Sequence, residues 1–312
     1  MNPDRTQFEA LAQRGNLIPV YRQILADRLT PVLAFEKLAS SKQECRYCFL
    51  LESVERGDQI GRYSFLGVNP SVLFRSRGRR VIITEADTDT ETELPEGTDP
   101  LHVLKGLLAR YKYVASPDLP PFCGGAVGMC AYDMVRFFER LPDTKPDPLR
   151  MDDCCFLLTD TLVVFDHVTR YMKVVCNALV DEEGPAAAYD RAAAKVDDLV
   201  GRLQSPAPAA PRQEREPGSI EVEACIPKAS YIAAVERCRE YILAGDAFQI
   251  VLAQRFRTPF TAPPFDVYRA LRSVNPSPYM YYLRLDQRTI IGSSPEILVT
   301  VDHGKVCVRP IA

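Results

Sequence analysis

Two apolar runs in the middle of the chain decide the fold class: Cys155–Phe165, CFLLTDTLVVF, and Tyr171–Leu179, YMKVVCNAL. Five residues separate them, Asp166-His167-Val168-Thr169-Arg170, which is a short enough connection for a hairpin. Both runs are rich in β-branched and aromatic residues. They predict antiparallel strands that pair with each other.

The same pattern recurs before this hairpin. Val72-Leu73-Phe74 and Val81-Ile82-Ile83-Thr84 lie on either side of a short turn and predict a second hairpin. Asp99-Pro100 is typical of a helix start, and Pro185 begins an alanine-rich helix. Because helices do not alternate one for one with strands, we expect an α+β fold with antiparallel sheets.

The clearest boundary in the chain is Gln204–Gly218, QSPAPAAPRQEREPG. It is rich in Pro, Ala and charge and has no apolar period, so residues 204–218 are predicted to be a linker. It separates a first domain, residues 16–203, from a second region, residues 219–312.

The second region contains a further mixture of helices and strands. We expect one helix capped by Ser230 and ended by Gly245, and a second over Val267–Val274. Phe248–Phe256 and Tyr279–Leu285 are predicted to be strands.

Composition excludes several classes of protein. The 312 residues carry a net charge of −3, which gives no electrostatic footprint for nucleic acid. Apolar runs are far shorter than the ~18 residues of a membrane span, and the first residues lack a signal peptide's apolar segment. We therefore expect a cytoplasmic protein with no membrane and no nucleic-acid partner.

Histidine and cysteine give little sign of a metal site. The three histidines, His102, His167 and His303, are scattered and are predicted to lie on the surface. The ten cysteines include one CxxC, Cys45-Arg46-Tyr47-Cys48, without a second pair at zinc-finger spacing. Most are predicted to be buried reduced thiols, with a zinc or redox protein using Cys45 and Cys48 as an alternative.

Six motifs then follow one another along the chain: Leu50-Leu51-Glu52-Ser53, Gly61-Arg62-Tyr63-Ser64-Phe65-Leu66-Gly67, Gly245-Asp246-Ala247-Phe248-Gln249-Ile250-Val251-Leu252, Asn275-Pro276-Ser277-Pro278-Tyr279-Met280, Gly292-Ser293-Ser294-Pro295-Glu296 and Arg309-Pro310-Ile311-Ala312. Together they resemble component I of anthranilate synthase, in the chorismate-utilising enzyme family. The resemblance extends from about Asn16 to Ala312 and is specific because six motifs occur in order.

The resemblance implies a fold and a reaction. The fold is an α/β/β/α sandwich with two antiparallel sheets in the middle, incomplete here at the C-terminus. The reaction aminates chorismate and eliminates pyruvate to give anthranilate, the first committed step toward tryptophan. Ammonia comes from a glutamine amidotransferase subunit, anthranilate synthase component II, and Mg²⁺ holds the anionic substrate.

Two positions separate this family from its relatives. Salicylate and isochorismate synthases carry a general-base Lys where Gln249 stands, and an amide cannot activate water in that way. Aminodeoxychorismate synthase carries a nucleophilic Lys where Ala312 stands. The resemblance therefore implies that Gln249 and Ala312 line an anthranilate synthase active site, with aminodeoxychorismate synthase component I as the alternative.

The resemblance also implies a binding site for the feedback inhibitor L-tryptophan. Its residues are Leu51, Glu52, Ser53, Asn275, Pro276, Pro278, Tyr279 and Met280. Glu52 offers a carboxylate for the ligand's ammonium group and Ser53 a hydroxyl. Tyr279 and Met280 suit an indole, and the prolines a preformed wall.

The family's catalytic His and the two Glu that hold Mg²⁺ are expected beyond Ala312, so no metal ligand is predicted in this chain. Residues 16–203 then correspond to the regulatory domain, and residues 219–312 to the beginning of the chorismate-binding catalytic domain. We expect that this chain alone does not turn over chorismate. A non-catalytic tryptophan-binding fragment is a further alternative, and we expect exposed apolar sheet edges.

Overall fold

The computed structural model describes residues 1–39, 45–53, 61–143, 145–206 and 220–308. The chain divides into two compact units. The first unit contains Met1–Pro208 and Tyr268–Ser294, and the second contains Ala209–Val267 and Pro295–Ala312.

A large antiparallel sheet forms the centre of the first unit. In spatial order its seven described strands are β1 (Leu17–Leu25), β10 (Tyr171–Leu179), β9 (Thr161–Asp166), β3 (Tyr63–Val68), β2 (Tyr47–Glu52), β13 (Tyr279–Leu285) and β14 (Arg288–Ser294). The predicted central hairpin is confirmed, since β9 and β10 pair with Val163 opposite Val174. Burial on both faces explains why these strands read as nearly continuous apolar runs.

A second antiparallel sheet lies in the same unit. Its five described strands are, in spatial order, β6 (Thr88–Glu93), β5 (Arg80–Glu85), β4 (Val72–Arg77), β8 (Cys154–Thr159) and β7 (Gly125–Cys130). The predicted hairpin of β4 and β5 is confirmed. The run Cys155–Phe165 is not one strand, however, because the chain leaves β8 at Thr159 and enters β9 of the other sheet at Thr161. Asp160, whose carboxylate accepts a hydrogen bond from Lys195 Nζ at 2.6 Å, marks this change of sheet.

The two sheets pack face to face. One cluster of buried side chains draws on both of them: Phe49, Leu73, Val127, Cys155, Leu157, Leu162, Val164, Leu283 and Leu285. This shared apolar layer is the main core of the unit.

Helices cover the two outer faces. The large sheet is covered by α2 (Pro31–Ala39) and α4 (Gly184–Gln204), and α1 (Arg5–Leu11) packs against α4. The smaller sheet is covered by α3 (Pro100–Leu108) and a short 3₁₀ helix (Tyr132–Phe137), whose Leu104, Leu107 and Met134 pack on its strands. The predicted α+β fold, an antiparallel α/β/β/α sandwich, is therefore confirmed for this unit.

The compact units do not follow the predicted division at residues 204–218. Residues 268–294 were predicted to lie in the second domain, yet they belong to the first unit. The reason is that β13 pairs with β2 from Leu285↔Tyr47 to Met280↔Glu52. Most of the predicted linker, residues 207–218, lies outside the described residues.

The described part of the second unit has short strands and one long helix. Its strands are β11 (Glu223–Ala224), β12 (Phe256–Arg257), β15 (Val299–Asp302) and β16 (Lys305–Val308), and its long helix is α5 (Lys228–Ala244). A last helix, α6 (Pro264–Val274), begins in the second unit and ends in the first. None of the helices in the described ranges is both long and apolar enough to cross a bilayer.

Two local predictions in the second unit are wrong. Helix α5 begins at Lys228 after Pro227, so Ser230 lies inside the helix and does not cap it. The helix does end at Gly245, whose φ of 84° is the left-handed conformation that glycine adopts readily. Within Phe248–Phe256 only Phe256 is in a strand, because β12 finds just a two-residue partner in β11.

Candidate functional site

The two predicted inhibitor motifs meet at one end of the β2–β13 pair. Glu52 lies opposite Met280, and Leu51 lies opposite Tyr281. Ser53 directly follows β2, and the segment 275–278 directly precedes β13. Antiparallel pairing thus brings together residues more than 200 positions apart in the sequence.

Glu52 is buried and has internal partners. Its Oε2 accepts a hydrogen bond of 2.7 Å from the Tyr268 hydroxyl, and its Oε1 accepts one of 3.1 Å from Arg272 Nη2. Arg272 Nε also lies 2.9 Å from Glu52 Oε2, without the alignment of a hydrogen bond. A buried carboxylate needs such a cation, because desolvation of an unpaired charge is very unfavourable.

This arrangement differs from the predicted role of Glu52. A free carboxylate was expected for a ligand ammonium, whereas in the structure Arg272 already balances its charge. Tyr268 and Arg272 are partners of Glu52 that were not predicted from the sequence. They lie four residues apart on α6, a spacing that places both on one helix face, and this was the available signal.

Aromatic rings pack against Tyr268, the residue that donates to the buried carboxylate. Tyr268 and Tyr282 are edge to face with their ring centroids 5.9 Å apart, and Tyr282 meets Phe35 in the same way at 5.1 Å. Burial and the neighbouring Glu52 raise the pKa of Tyr268, so its hydroxyl remains a hydrogen-bond donor. Aromatic packing thus holds the tyrosine that donates to Glu52.

Two hydroxyl oxygens at this end of the strand pair are buried. Among the described residues, neither Ser53 Oγ nor Ser277 Oγ has a hydrogen-bond partner. An unpaired buried hydroxyl costs about 1–3 kcal/mol, and such groups commonly face a ligand or an ordered water. Ser277 was not among the predicted site residues, because its position between Pro276 and Pro278 is typical of a simple turn.

The segment before β13 changes from exposed to buried along its length. Asn275 and Pro276 are exposed, whereas Pro278 and Met280 are buried and Tyr279 is half-buried. The carbonyl of Asn275 accepts a hydrogen bond of 2.7 Å from Ser293 Oγ, which fixes the start of the segment to β14. These five predicted residues therefore lie together with Leu51, Glu52 and Ser53 in the first unit.

His167 reaches toward the same strands. Its Nε2 lies 2.7 Å from the hydroxyl of Ser64, the residue opposite Glu52 in β3. Burial of this part of the ring lowers the pKa of His167, with a contribution from Arg272, while Glu52 and Asp166 act in the opposite direction. His167 is thus an exposed side chain with one nitrogen engaged in the sheet, and not the simple surface residue that was predicted.

The predicted active-site residues are placed differently. Gln249 lies in the second unit, exposed, in a stretch without regular structure. Ala312 lies outside the described residues.

The CxxC motif is buried in the first unit. Cys45 and Cys48 are 2% and 0% exposed, and Cys45 Sγ lies 3.6 Å from the carbonyl oxygen of Tyr47. In the described ranges no three His, Cys, Asp or Glu side chains converge as metal ligands. These thiols behave as small core residues.

Sequence comparison identifies the family to which these features belong. The family described as chorismate binding enzyme matches residues 46–312. The chain belongs to this family. The match covers most of both compact units, including β2, β13 and the segment around Gln249.

Three relatives share the name anthranilate synthase component 1. Anthranilate synthase component 1 of Acetivibrio thermocellus is 36% identical over 99% of this chain and 62% of its own length. That of Aquifex aeolicus is 37% identical over 100% and 62%, and that of Thermus thermophilus is 40% identical over 94% and 59%. The predicted resemblance is confirmed, and the chain spans about three fifths of these relatives.

Solved structures agree with the fold. Anthranilate synthase component I from Streptococcus pneumoniae TIGR4 matches with a TM-score of 0.62 and 28% identity, over 91% of this chain and 59% of that one. The isochorismate synthase MenF from Escherichia coli matches with a TM-score of 0.51 and 16% identity, over 94% and 55%. The second match shows a shared fold only.

Proposed function

We propose that this chain is the regulatory part and the opening catalytic segment of an anthranilate synthase component I. The whole enzyme aminates chorismate with ammonia and releases pyruvate, which gives anthranilate for tryptophan biosynthesis. The names and identities of the relatives support this assignment over aminodeoxychorismate synthase component I. Gln249 also fits an incoming ammonia, because no general base has to be supplied from its position.

In this proposal L-tryptophan binds at the shared end of β2 and β13. The observation that carries it is that the buried hydroxyls of Ser53 and Ser277 at that end have no hydrogen-bond partner within the part of the chain that the structure describes. They can donate to the ligand's carboxylate, while backbone carbonyls around Pro278 accept from its ammonium. Tyr279 and Met280 supply the packing groups for the indole.

In this proposal the Glu52 carboxylate does not pair with the ammonium group of the ligand. Glu52 instead positions the two halves of the site. Its carboxylate is fixed by Tyr268 and Arg272, both on α6. Since Ser53 follows Glu52 and the segment 275–278 follows α6, this contact sets the distance between the two halves of the proposed site. A preformed site binds more tightly because less freedom is lost on binding.

Fluorescence titration tests the tryptophan site directly. The chain contains no Trp, so added L-tryptophan is the only indole emitter. We expect a saturable spectral shift with L-tryptophan that D-tryptophan does not reproduce. Ser277→Ala and Ser53→Ala should each weaken binding about 10-fold, the loss expected for one buried hydrogen bond of about 1.4 kcal/mol.

The matched control is Ser71→Ala. Ser71 is an exposed residue of the same unit whose hydroxyl bonds the Leu158 carbonyl at 3.2 Å. This variant should bind L-tryptophan like the parent chain. No shift in the parent, or an unchanged affinity in both Ser53→Ala and Ser277→Ala, would overturn the proposed site.

The catalytic part of the proposal has a separate test. In this proposal Mg²⁺ is held by the whole enzyme, and no residue of this chain is assigned to it. We propose that the 312-residue chain gives no anthranilate from chorismate, Mg²⁺ and ammonium. Anthranilate fluorescence from the purified chain would contradict that statement without affecting the tryptophan site.

A glutamine amidotransferase, component II, is the proposed partner and source of ammonia. The number in the relatives' name, component 1, supports a second component. Sedimentation of the chain mixed with a component II should give a heavier species than either alone. Independent sedimentation at micromolar concentrations would remove the partner from the proposal.

A further inference from the structure

Cys130 and Cys154 form a pair that the proposed function does not use. Cys130 is the last residue of β7 and Cys154 the first residue of β8, and they lie directly opposite each other. Their Sγ atoms are 3.5 Å apart. We propose that these two thiols are a peroxide-sensitive site that converts to a cross-strand disulfide.

The backbone places this pair where side chains come closest. The amide of Ala131 donates to the carbonyl of Asp153 at 2.7 Å, immediately beyond the pair. Cys130 and Cys154 therefore occupy a position where opposite residues do not bond each other, with Cα atoms typically about 4.5 Å apart. That separation is within the range that a disulfide spans, and the sulfurs need to approach by only ~1.5 Å.

The two thiols have different access to solvent. Cys130 is exposed, whereas Cys154 is fully buried among Phe74, Leu158 and Met134. An oxidant in solution can thus reach Cys130 first, and Cys154 lies behind it as the second thiol. This is the usual arrangement of a reactive and a resolving cysteine.

Electrostatics favours the same order of reaction. The hydrogen bond with Cys154 lowers the pKa of the Cys130 thiol to about 7, so a large fraction is thiolate at neutral pH. Cys130 and burial raise the pKa of Cys154, which keeps its proton. By contrast, burial raises the pKa of Cys155 and of Cys176 to about 12, so both thiols keep their protons at neutral pH.

The reaction balances with hydrogen peroxide as the oxidant. The Cys130 thiolate attacks one peroxide oxygen, the O–O bond breaks, and hydroxide leaves, which produces a sulfenic acid. Cys154 Sγ then attacks that sulfur, the S–O bond breaks, and water leaves with the Cys154 proton. Two thiols are oxidised to a disulfide, and peroxide is reduced to two waters once the hydroxide is protonated.

Peptide mapping of the full chain tests the proposal. After treatment with peroxide, alkylation and trypsin, cleavage at Lys112, Arg136, Arg150 and Arg170 gives two peptides, 113–136 and 151–170. We expect these two peptides joined, about 2 Da lighter than their sum, and separated again by dithiothreitol. The Cys154→Ser variant should instead accumulate sulfinic acid at Cys130.

Each of the two peptides contains a second cysteine, so the cross-link alone does not show which sulfurs are joined. Matched variants identify them. Cys123→Ser and Cys155→Ser should retain the cross-link, and Cys130→Ser, a change at an exposed position, should lose it. A link that survives Cys130→Ser would overturn the proposal. So would a parent chain in which Cys130 is oxidised to sulfinic acid while peptides 113–136 and 151–170 remain separate.

Discussion

The β2–β13 strand pair and helix α5 both lie within the match to one enzyme family, but they bury their side chains very differently. Leu50 and Tyr282 of the strand pair are completely buried in the first unit. In α5 no residue is buried, and Leu243 is 85% exposed. The apolar side chains of α5 thus lack the burial that Leu50 and Tyr282 have.

The first unit is stabilised by its own packing, whereas α5 is not. The first unit has two sheets, a shared apolar core and helices on both outer faces, so its strands are stabilised by burial. Helix α5 has 17 residues and depends on local hydrogen bonds, which make an isolated helix only marginally stable in water. The proposed tryptophan site lies in the well-packed first unit.

Hydrogen exchange should show the largest effect. Amides in β9 and β10 open only with global unfolding, while those in α5 open locally at little cost. A difference of about 4–5 kcal/mol corresponds to exchange at least about 1,000-fold faster in α5. Mass spectrometry of peptic peptides measures this, and equal protection in α5 and β10 would mean that α5 is as stable as the central hairpin.

Two leucine truncations give the next largest difference. Leu50→Ala removes a fully buried side chain of β2 and should lower the free energy of unfolding by about 3 kcal/mol. Leu243→Ala, the matched change in α5, should alter it by no more than about 0.5 kcal/mol. Urea titration monitored by tyrosine fluorescence measures both, and similar losses would mean that α5 is packed after all.

The buried ion pair of Glu52 and the exposed ion pair of Glu240 should contribute differently to stability. Glu52→Gln leaves Arg272 without its buried counter-ion and should cost about 2 kcal/mol, less than for a pair in which both partners are fully buried. Glu240→Gln in α5 removes the exposed partner of Arg237, 2.5 Å away, and should cost at most about 0.5 kcal/mol.

Thermal unfolding of these two variants checks the prediction. It also separates stability from binding, because the Glu240→Gln variant should retain the L-tryptophan shift. If Glu52→Gln proves as stable as the parent, the contact between α6 and β2 does not hold the site together.

Local sequence patterns predicted much of the first unit. They failed where pairing with residues far away in the sequence determines where a strand begins or ends. The hairpin of β9 and β10 was predictable, since both apolar runs and their short connection lie close together in sequence. The change of sheet at Asp160 was not, because strands buried on both faces show no alternation that marks a break. Phe248–Phe256 is apolar like a strand, but a strand also needs a partner of matching length.

The site was predictable as two motifs but not as a set of contacts. The motifs containing Glu52 and Met280 were expected to form one site, and the register of β2 and β13 places them opposite each other. The partners Tyr268 and Arg272 are 216 and 220 residues from Glu52, and no local pattern relates such distant positions. The contact of Tyr268 and Arg272 with Glu52 depends on how α6 packs against the sheet.

The smallest predicted effect concerns acid stability. Since burial lowers the pKa of His167 in the folded chain, the unfolded chain binds protons more readily at this position. Stability should therefore fall as the pH drops below about 6.5, the ordinary pKa of histidine. His167→Gln should remove this part of the pH dependence, whereas His303→Gln, in the exposed β15–β16 turn of the second unit, should not.

Urea midpoints measured from pH 7.5 to 5 compare the three chains. A shallower slope in His303→Gln than in His167→Gln would place the sensitive histidine in the second unit and reverse the contrast between the two units.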